Sequence, residues 1–200
     1  MIVVGLTGGI ASGKTTVVKF LKKKRLAIHD SDFVVKKIYS KPEEKFLKAL
    51  KQIGLEKSII GKKISKKIIR EEIFNNKEKK EKLEKFIHKE VRASRRAFIQ
   101  KHTKKKTKIV ILDIPLLFEK KLTSICDYII LLTLPNKKRI ARALKRKGMK
   151  KDILLKIIDS QLKDSIKKKK ANFVINTSRA KNHSFDMILK AINIIIKKNA

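Results

Sequence analysis

The residues best suited to chemistry lie near the start of the chain, at positions 8–15, whose sequence is GGIASGKT. This stretch matches the pattern G-x-x-x-x-G-K-[ST], in which successive backbone N–H groups turn inward around an anionic phosphate. An apolar run at residues 2–6 precedes it and predicts a buried strand. Apolar residues at helical spacing follow it, so a helix N-terminus adds partial positive charge. In this context the pattern predicts a nucleotide phosphate site.

Two side chains of the loop can act on a nucleotide directly. Lys14 can reach the β- and γ-phosphates, and the Thr15 hydroxyl can hold Mg²⁺. Gly8 and Gly13 permit the tight turn and the close backbone approach that such a loop needs. The alternative is a chance match in a lysine-rich chain, which leaves the flanking strand and helix unexplained.

Acidic residues follow two other predicted strands. Residues 25–29 form a short apolar run that ends at Asp30-Ser31-Asp32, and residues 108–113 form the clearest interior strand, which ends at Asp113. Ligands of a parallel sheet lie beyond the carboxyl ends of its strands, where these acids and the loop would meet. Asp113 can hold Mg²⁺ directly or through water, unless it ends its strand by chance. Either Asp30 or Asp32 can cap the next helix, which leaves the other for chemistry.

Three arginines, Arg139, Arg142 and Arg146, are spaced so that they share one helix face. A solvated basic face is the alternative for each of them. Arginine nevertheless stands out in a chain that uses lysine almost everywhere, because its planar fork binds phosphate oxygens in a way that lysine cannot. We therefore expect this helix to belong to a lid that closes over a nucleotide.

The remaining pattern alternates strands with helices and predicts an α/β fold with a parallel sheet covered on both faces. We expect helices at about 32–53 with a break at Pro42, a helical section without a convincing strand at about 56–107, and later helices at 136–147, 153–162 and 185–196. The predicted strands lie at residues 2–6, 25–29, 108–113, 127–133 and 173–176.

The chain has 200 residues and carries 54 Lys and Arg against 18 Asp and Glu, for a net charge of +36. Such a charge attracts nucleic acid. However, the lysines are spread along the whole chain, and no aromatic ladder lies among them to stack bases. We therefore expect that the net charge reflects compositional drift, in which lysine fills nearly every exposed position. Such a protein would bind RNA non-specifically at low salt and would have no specific nucleic-acid partner.

Other compositional features bear on the cellular setting. The single cysteine, Cys126, excludes an internal disulfide and fits a reducing cytosol. No apolar run approaches the ~20 residues that a membrane span needs. We expect a cytoplasmic protein without a membrane partner, and a monomer.

These motifs together resemble the dephospho-coenzyme A kinase family nearly from end to end. The phosphate loop alone indicates no more than a kinase or nucleoside triphosphatase, but the sequence L-T-G-G-I, the D-x-D at 30–32 and P-L-L-F-E at 115–119 are jointly specific. Further matching positions are Arg70 with Ile73 and Phe74, His88, Arg142 with Arg146, Gln161, and residues 171–175.

The resemblance implies ATP-dependent phosphorylation of the ribose 3′-hydroxyl of dephospho-CoA, the last step of coenzyme A synthesis. It implies a P-loop kinase-like three-layer fold with a five-stranded parallel sheet, a helical substrate-binding insertion and a small lid. Within a single chain, the core would comprise about 1–55, 107–138 and 165–200, the insertion about 56–106 and the lid about 139–164.

The resemblance also implies roles for particular residues. Lys14, Asp32 and Arg142 would be catalytic, with Asp32 accepting or orienting the proton of the ribose hydroxyl. Thr15 and Asp113 would hold Mg²⁺. The residues that bind ATP would be Gly9, Ile10, Ala11, Ser12, Gly13, Lys14, Thr15, Thr16, Arg139 and Arg142. Those that bind dephospho-CoA would be Asp32, Arg70, Phe74, His88 and Leu116.

The sequence departs from the family pattern at four places. Ala11 and Lys89 replace a usual glycine and proline, and Ser65-Lys66 stands where Asp-Arg is common. Thr177-Ser178-Arg179 replaces Asn-Ser-Gly, which puts the adenine side of the ATP pocket in question. Two alternative functions remain: another nucleoside or nucleotide kinase, and a basic RNA-binding protein without catalysis, which would explain neither Asp32 nor the loop.

Overall fold

The structure is a computed structural model that describes residues 1–199, and strands alternate with helices along most of this range. The strands are β1 (Ile2–Gly8), β2 (Ala27–Asp30), β3 (Ile59–Ile60), β4 (Lys63–Ile64), β5 (Ile109–Asp113), β6 (Tyr128–Thr133) and β7 (Phe173–Asn176). The helices are α1 (Lys14–Lys23), α2 (Ser31–Ser40), α3 (Glu44–Ile53), α4 (Lys66–Phe74), α5 (Lys77–Lys104), α6 (Asn136–Leu144), α7 (Lys151–Asp159), α8 (Asp164–Lys170) and α9 (Lys181–Lys198).

Five strands form one sheet in the order β2-β5-β1-β6-β7. β1 pairs in parallel with β5 and with β6, and β6 pairs in parallel with β7. The register sets Leu6 opposite Asp113, Gly8 opposite Leu132 and Thr133 opposite Asn176. The carboxyl ends of these strands therefore meet at one edge, and the α/β fold with a five-stranded parallel sheet is confirmed.

The chain divides into two compact units, and each has its own core. The core unit comprises Met1–His29 and the chain from Lys101 onward, and the helical unit comprises Asp30–Gln100. In the core unit, β1, β5 and β6 are almost wholly buried because their residues are apolar on both faces, and α1 and α9 pack against them. In the helical unit, side chains of α3, α4 and α5 surround Phe46 and Leu50.

This division falls at different positions from the expected boundaries. We expected residues 30–55 to belong to the nucleotide core, whereas α2 and α3 cluster with the helical unit. Within that unit, β3 and β4 form an antiparallel hairpin in the section for which no strand was expected. Its turn begins at Gly61, whose φ of 55° suits glycine. The strands are only two residues long, too short to give a periodic signal.

Candidate active site

The loop between β1 and α1 begins at Gly8 and ends at Gly13. A side chain would clash with neighbouring atoms at Gly8 and would strain the backbone at Gly13. A Cβ on Gly8 would lie 2.5 Å from Ser12 Oγ and 2.6 Å from the Leu132 carbonyl oxygen. Gly13 has a φ of 86°, and among residues 1–199 no side chain caps α1 there. The first N–H groups of α1 therefore point out of the helix toward the loop, where an anion can accept them.

Ala11 adopts a left-handed backbone conformation, with a φ of 59°. This conformation costs an alanine about 1–2 kcal/mol, which is why glycine suits the position. Its methyl group is buried and packs with Ala143 of α6 and Leu154 of α7. The departure from glycine thus joins the loop to the helices of the expected lid.

Lys14 and Asp113 form an ion pair at the carboxyl edge of the sheet. Lys14 Nζ lies 2.8 Å from Asp113 Oδ1, and the exposed fractions of the two side chains are 12% and 5%. The first helical residue after the loop and the last residue of β5 are thereby brought together. An ammonium that is fixed beside the loop by a buried acid can bind phosphate without searching through its rotamers.

The donor set at this edge suits Mg²⁺. The carboxylate of buried Asp113 and the hydroxyl of Thr15, an exposed residue next to Lys14, supply hard oxygen ligands. Within residues 1–199, no group of three or more His, Cys, Asp or Glu side chains could hold a metal alone. One carboxylate with phosphate oxygens and water is the usual coordination of Mg²⁺ at a nucleotide, so these residues fit the ion.

Arg142 lies on α6 and reaches across to Thr177, directly after β7. Its Nη2 donates to the Thr177 carbonyl oxygen at 2.8 Å, and its Nη1 to the Thr177 hydroxyl at 3.4 Å. The same hydroxyl lies 2.9 Å from the carbonyl oxygen of Ser12 in the loop. The contact brings the exposed arginine to the loop.

Arg139, one helical turn earlier, is buried instead. Its guanidinium pairs with Asp164 of α8 and donates to the Leu134 carbonyl oxygen at 3.2 Å. It also lies beside the loop, because a Cβ on Gly9 would be 3.4 Å from Arg139 Cζ. Arg146, on the same predicted face, follows the end of α6 and is exposed.

A second set of contacts fastens the segment between α7 and α8 to the loop. The Ile10 amide donates to Gln161 Oε1 at 3.2 Å, and the amide of the next residue, Leu162, donates to Glu119 Oε1 at 3.1 Å. Lys167 of α8, whose exposed fraction is 1%, pairs with the same Glu119 oxygen at 2.7 Å. Glu119 thus links the loop after β5 to this segment.

The helical unit contains the two acids of the D-x-D motif. Asp30 Oδ1 accepts a hydrogen bond from the Phe33 amide at 2.9 Å and so caps α2. Asp32 lies in the first turn of α2 and is exposed. The expectation that one of the two acids caps a helix is confirmed, and the acid is Asp30.

A pocket of about 520 Å³ opens beside Asp32 within this unit. Arg70 lines it, whereas Phe74 and His88 do not, and the Phe74 side chain is 85% exposed. Burial raises the pKa of the Tyr39 phenol, so Tyr39 stays neutral. The ammonium of Lys66 lies 5.0 Å from the centre of its ring, within cation–π distance. The lining residues are Asp32, Val35, Lys36, Tyr39, Lys66, Ile69, Arg70 and Ile73.

Several residues around these sites were not assigned a role from the sequence. Tyr39 carries no motif, and Lys66 was noted only as a departure from the family pattern. Gln161 matched the family without an assigned contact. Thr177 was likewise noted only as part of a departure from the family pattern. Asp164 carries no motif and lies far along the chain from the loop. Leu116, which was expected at the acceptor site, lies in the loop after β5 with 36% of its side chain exposed.

The loop after β1 and the order of the parallel sheet define the class of protein, which is a phosphate-binding-loop protein that binds a nucleotide. The sequence model of the dephospho-CoA kinase family matches residues 2–182. The dephospho-CoA kinase of Fusobacterium nucleatum is 36% identical over 181 residues, 89% of this chain and 90% of its own length. That of Bacillus cereus is 31% identical over 197 residues, 97% of this chain and 98% of its own.

Solved structures agree with this grouping. The dephospho-CoA kinase of Campylobacter jejuni superposes with a TM-score of 0.72 at 27% identity, covering 99% of this chain and 98% of its own. A shikimate kinase from Acinetobacter baumannii, at 15% identity and a TM-score of 0.53 over 99% and 94% of the two chains, shares the fold alone.

The chain belongs to the dephospho-CoA kinase family. It is a transferase that phosphorylates dephospho-CoA with ATP to give coenzyme A, the final step of coenzyme A biosynthesis. Within residues 1–199, no helix is long and apolar enough to cross a bilayer.

Proposed function

We propose that the reaction of this kinase is divided between the two sets of residues described above. Lys14, Thr15, Asp113 and Arg142 act on the phosphates of ATP, and Asp32 acts on the ribose hydroxyl of dephospho-CoA. The observation that carries the first half is the 2.8 Å contact of Lys14 Nζ with Asp113 beside the glycine-bordered loop. The second half rests on Asp32 and Arg70 lining one pocket.

On the phosphate side, the work of the protein is positioning and charge stabilisation, because phosphoryl transfer asks for little covalent chemistry from the enzyme. Of the loop N–H groups from Gly9 to Thr16, those of Ile10, Ser12 and Thr16 already donate to Gln161 Oε1 and to the carbonyl oxygens of Gly9 and Gly13, and the others bind phosphate oxygens. Lys14 offsets negative charge on the β- and γ-phosphates. Arg142 has two N–H groups on Thr177 and others left for the transferring group. Arg139 supports the loop at Gly9 from its buried position.

Thr15 and Asp113 would hold Mg²⁺, which when bound neutralises charge on the phosphates and orients them. This pair is proposed because one is a hydroxyl within the loop motif and the other a carboxylate already beside Lys14. Calcium needs more oxygen ligands from the protein than these two residues provide.

On the acceptor side, Asp32 accepts or orients the proton of the ribose 3′-hydroxyl. Its carboxylate is exposed at a pocket that also offers the cations Arg70, Lys66 and Lys36, which suit an anionic substrate. The apolar faces of Tyr39 and Ile73 can take an adenine or the pantetheine arm. Phe74 and His88 are proposed to contact the remainder of dephospho-CoA, and Leu116 to contact it from the loop after β5.

We further propose that the enzyme works as a cytoplasmic monomer with no membrane partner and no specific nucleic-acid partner. This is supported by a single cysteine and by basic residues that are spread over the whole sequence. Sedimentation of the purified chain tests the oligomeric state.

The proposed function is tested by ADP formation from ATP and Mg²⁺ with different acceptors. Dephospho-CoA should trigger ADP release, whereas nucleosides, nucleoside monophosphates and shikimate should leave it at the background rate. Turnover with one of these other acceptors at a comparable rate would assign the pocket to a different substrate. The product should be CoA, which mass spectrometry identifies by the added phosphate.

A further inference from the structure

Thr177 lies between the phosphate loop and Arg142, at a position where the sequence departs from its family. It directly follows β7, and its exposed fraction is 5%. Its amide donates to the Thr133 carbonyl oxygen at 2.9 Å, which fixes its backbone to the end of β6. The backbone of Thr177 is therefore fixed to the sheet independently of the contacts that its side chain makes.

The Thr177 hydroxyl uses both of its hydrogen-bonding functions. It lies 2.9 Å from the Ser12 carbonyl oxygen and 3.2 Å from that of Thr133, so its single proton is donated between these two acceptors. Its lone pair accepts Arg142 Nη1 at 3.4 Å. A hydroxyl can donate to the loop and accept from the arginine at once, which neither a methyl group nor a carbonyl can do.

Arg142 depends on this contact for its orientation. It is exposed on α6, and a free arginine of this kind samples many rotamers, at an entropic cost whenever it is ordered. Two of its donors bind Thr177, through Nη2 to the carbonyl oxygen at 2.8 Å and through Nη1 to the hydroxyl. This fork fixes the guanidinium plane and leaves further N–H groups to point elsewhere.

We propose that Thr177 is a positioning residue, which orders Arg142 beside the phosphate loop before ATP binds. This inference rests on the proposed function of Arg142 in binding the transferring phosphoryl group. The Thr177 hydroxyl contacts both the Ser12 carbonyl oxygen and the Arg142 guanidinium, so the position of the arginine relative to the loop is fixed before the phosphates bind. Ordering before binding means that less rotamer entropy is lost in the transition state.

The test compares Thr177→Val, which keeps the shape and removes the hydroxyl, with Thr177→Ser, which keeps the hydroxyl. Thr177→Val should lower kcat by about 10-fold, the typical effect of losing one hydrogen bond to a charged group. The KM for dephospho-CoA should not change. Thr177→Ser should stay within about 2-fold of the parent chain, because it retains the same donor and acceptor. Thr177→Cys, a weaker donor and acceptor, should fall between them and replaces Thr177→Val if the valine variant folds poorly.

Thr133→Val is the matched control. Thr133 is also a buried threonine, and its hydroxyl donates to the Ile175 carbonyl oxygen at 3.4 Å without reaching Arg142. A purely structural role for a hydroxyl at this edge would lower the melting temperature of both valine variants and leave kcat at 25 °C unchanged. If Thr177 positions Arg142, kcat should fall in Thr177→Val and stay unchanged in Thr133→Val.

A double-mutant cycle separates this inference from the proposed function on which it rests. If Thr177 acts through Arg142, Thr177→Val should cause no further loss of kcat in an Arg142→Ala background. An Arg142→Ala enzyme with parental turnover would overturn the proposed role of Arg142 itself. Two results would overturn the positioning role of Thr177 alone. In the first, Arg142→Ala lowers kcat and adding Thr177→Val lowers it further by the same factor as in the parent chain. In the second, Thr177→Ser is as slow as Thr177→Val.

Discussion

The carboxylate of Asp30 accepts a hydrogen bond from the amide of Phe33, three residues later, at a distance of 2.9 Å. This bond makes Asp30 the N-cap of α2 and occupies one of its oxygens with the helix backbone. Asp32, two residues further, has no such duty in the helix and lines the pocket of the helical unit. The two acids of the D-x-D motif are thereby separated into a structural one and a candidate for catalysis.

The first prediction concerns the different duties of these acids. Asp32→Asn should lower turnover by about 10²–10⁴-fold, the usual contribution of a general base, with little change in ATP affinity. Asp30→Ala should lower stability by about 1 kcal/mol through loss of the cap, whereas Asp30→Asn should cost little because asparagine caps helices as well as aspartate does. Turnover, ATP binding and urea unfolding of the three variants are the measurements.

If Asp30→Asn lowers turnover more than Asp32→Asn does while the protein remains folded, the general base is Asp30 and not Asp32. The asparagine variant of Asp30 is the informative one, because it keeps the cap and changes only the charge.

The second prediction concerns Lys14. Lys14→Ala should abolish nearly all phosphoryl transfer while the chain stays folded, because Lys14 pairs with Asp113 at the carboxyl edge of the sheet and does not belong to the apolar core. It leaves the buried Asp113 without its ammonium partner, so some stability should be lost as well. Adding Asp113→Asn should recover stability but not turnover. Parental turnover in Lys14→Ala would remove the assignment of the phosphate loop.

Much of the core unit could be predicted from the sequence, because the signals there are local. The phosphate loop is eight contiguous residues whose spacing predicts a nucleotide phosphate site. β5 and β6 are predominantly apolar up to their last residues because both of their faces are buried. Asp113 followed from the same logic, since it ends a strand that had to lie inside the sheet.

The contacts that shape the site could not be predicted, because their partners are distant in sequence. Gln161 and Ile10 are 151 residues apart, and Thr177 and Ser12 are 165 apart. Nothing in the pattern of either residue identifies its partner. Arg139 and Arg142 share a predicted face, yet one is buried against Asp164 and the other is exposed on Thr177. That difference depends on tertiary packing rather than on spacing.

The third prediction concerns the net charge of +36. If it reflects drift, RNA binding should be weak at physiological salt, show no sequence preference and fall steeply as salt increases, because it comes from counterion release. Filter binding of several unrelated RNAs between about 50 and 200 mM salt measures this, because a protein that makes roughly 6–10 phosphate contacts loses about 10³–10⁵-fold in affinity over that range. A single RNA preferred over bulk RNA by ~10³-fold would contradict it.

The fourth prediction is a pH dependence that arises from His102 in the last turn of α5. Burial, followed by the charges of Lys101 and Lys105, lowers the pKa of His102 below its ordinary value of 6.5. The unfolded chain therefore takes up this proton first as the pH falls, so the contribution of His102 to stability is complete above about 6.5 and is lost below it. Urea unfolding of the parent chain and of His102→Gln should differ by a constant above that pH and by a changing amount below it. A constant difference at every pH would contradict the prediction.

The last prediction concerns the buried ion pair between Glu119 and Lys167. Lys167 Nζ lies 2.7 Å from Glu119 Oε1, and the exposed fractions of the side chains are 1% for the lysine and 13% for the glutamate. Lys167→Met should destabilise the protein by about 3–5 kcal/mol, because it leaves the Glu119 carboxylate buried without its cation. The double variant Glu119→Gln with Lys167→Met should recover most of that loss, since glutamine carries no charge and can still accept the Leu162 amide. Exposed Lys168, mutated to Met, is the control and should change stability by less than about 0.5 kcal/mol. A Lys167→Met protein as stable as this control would show that the pair does not hold α8 to the loop after β5.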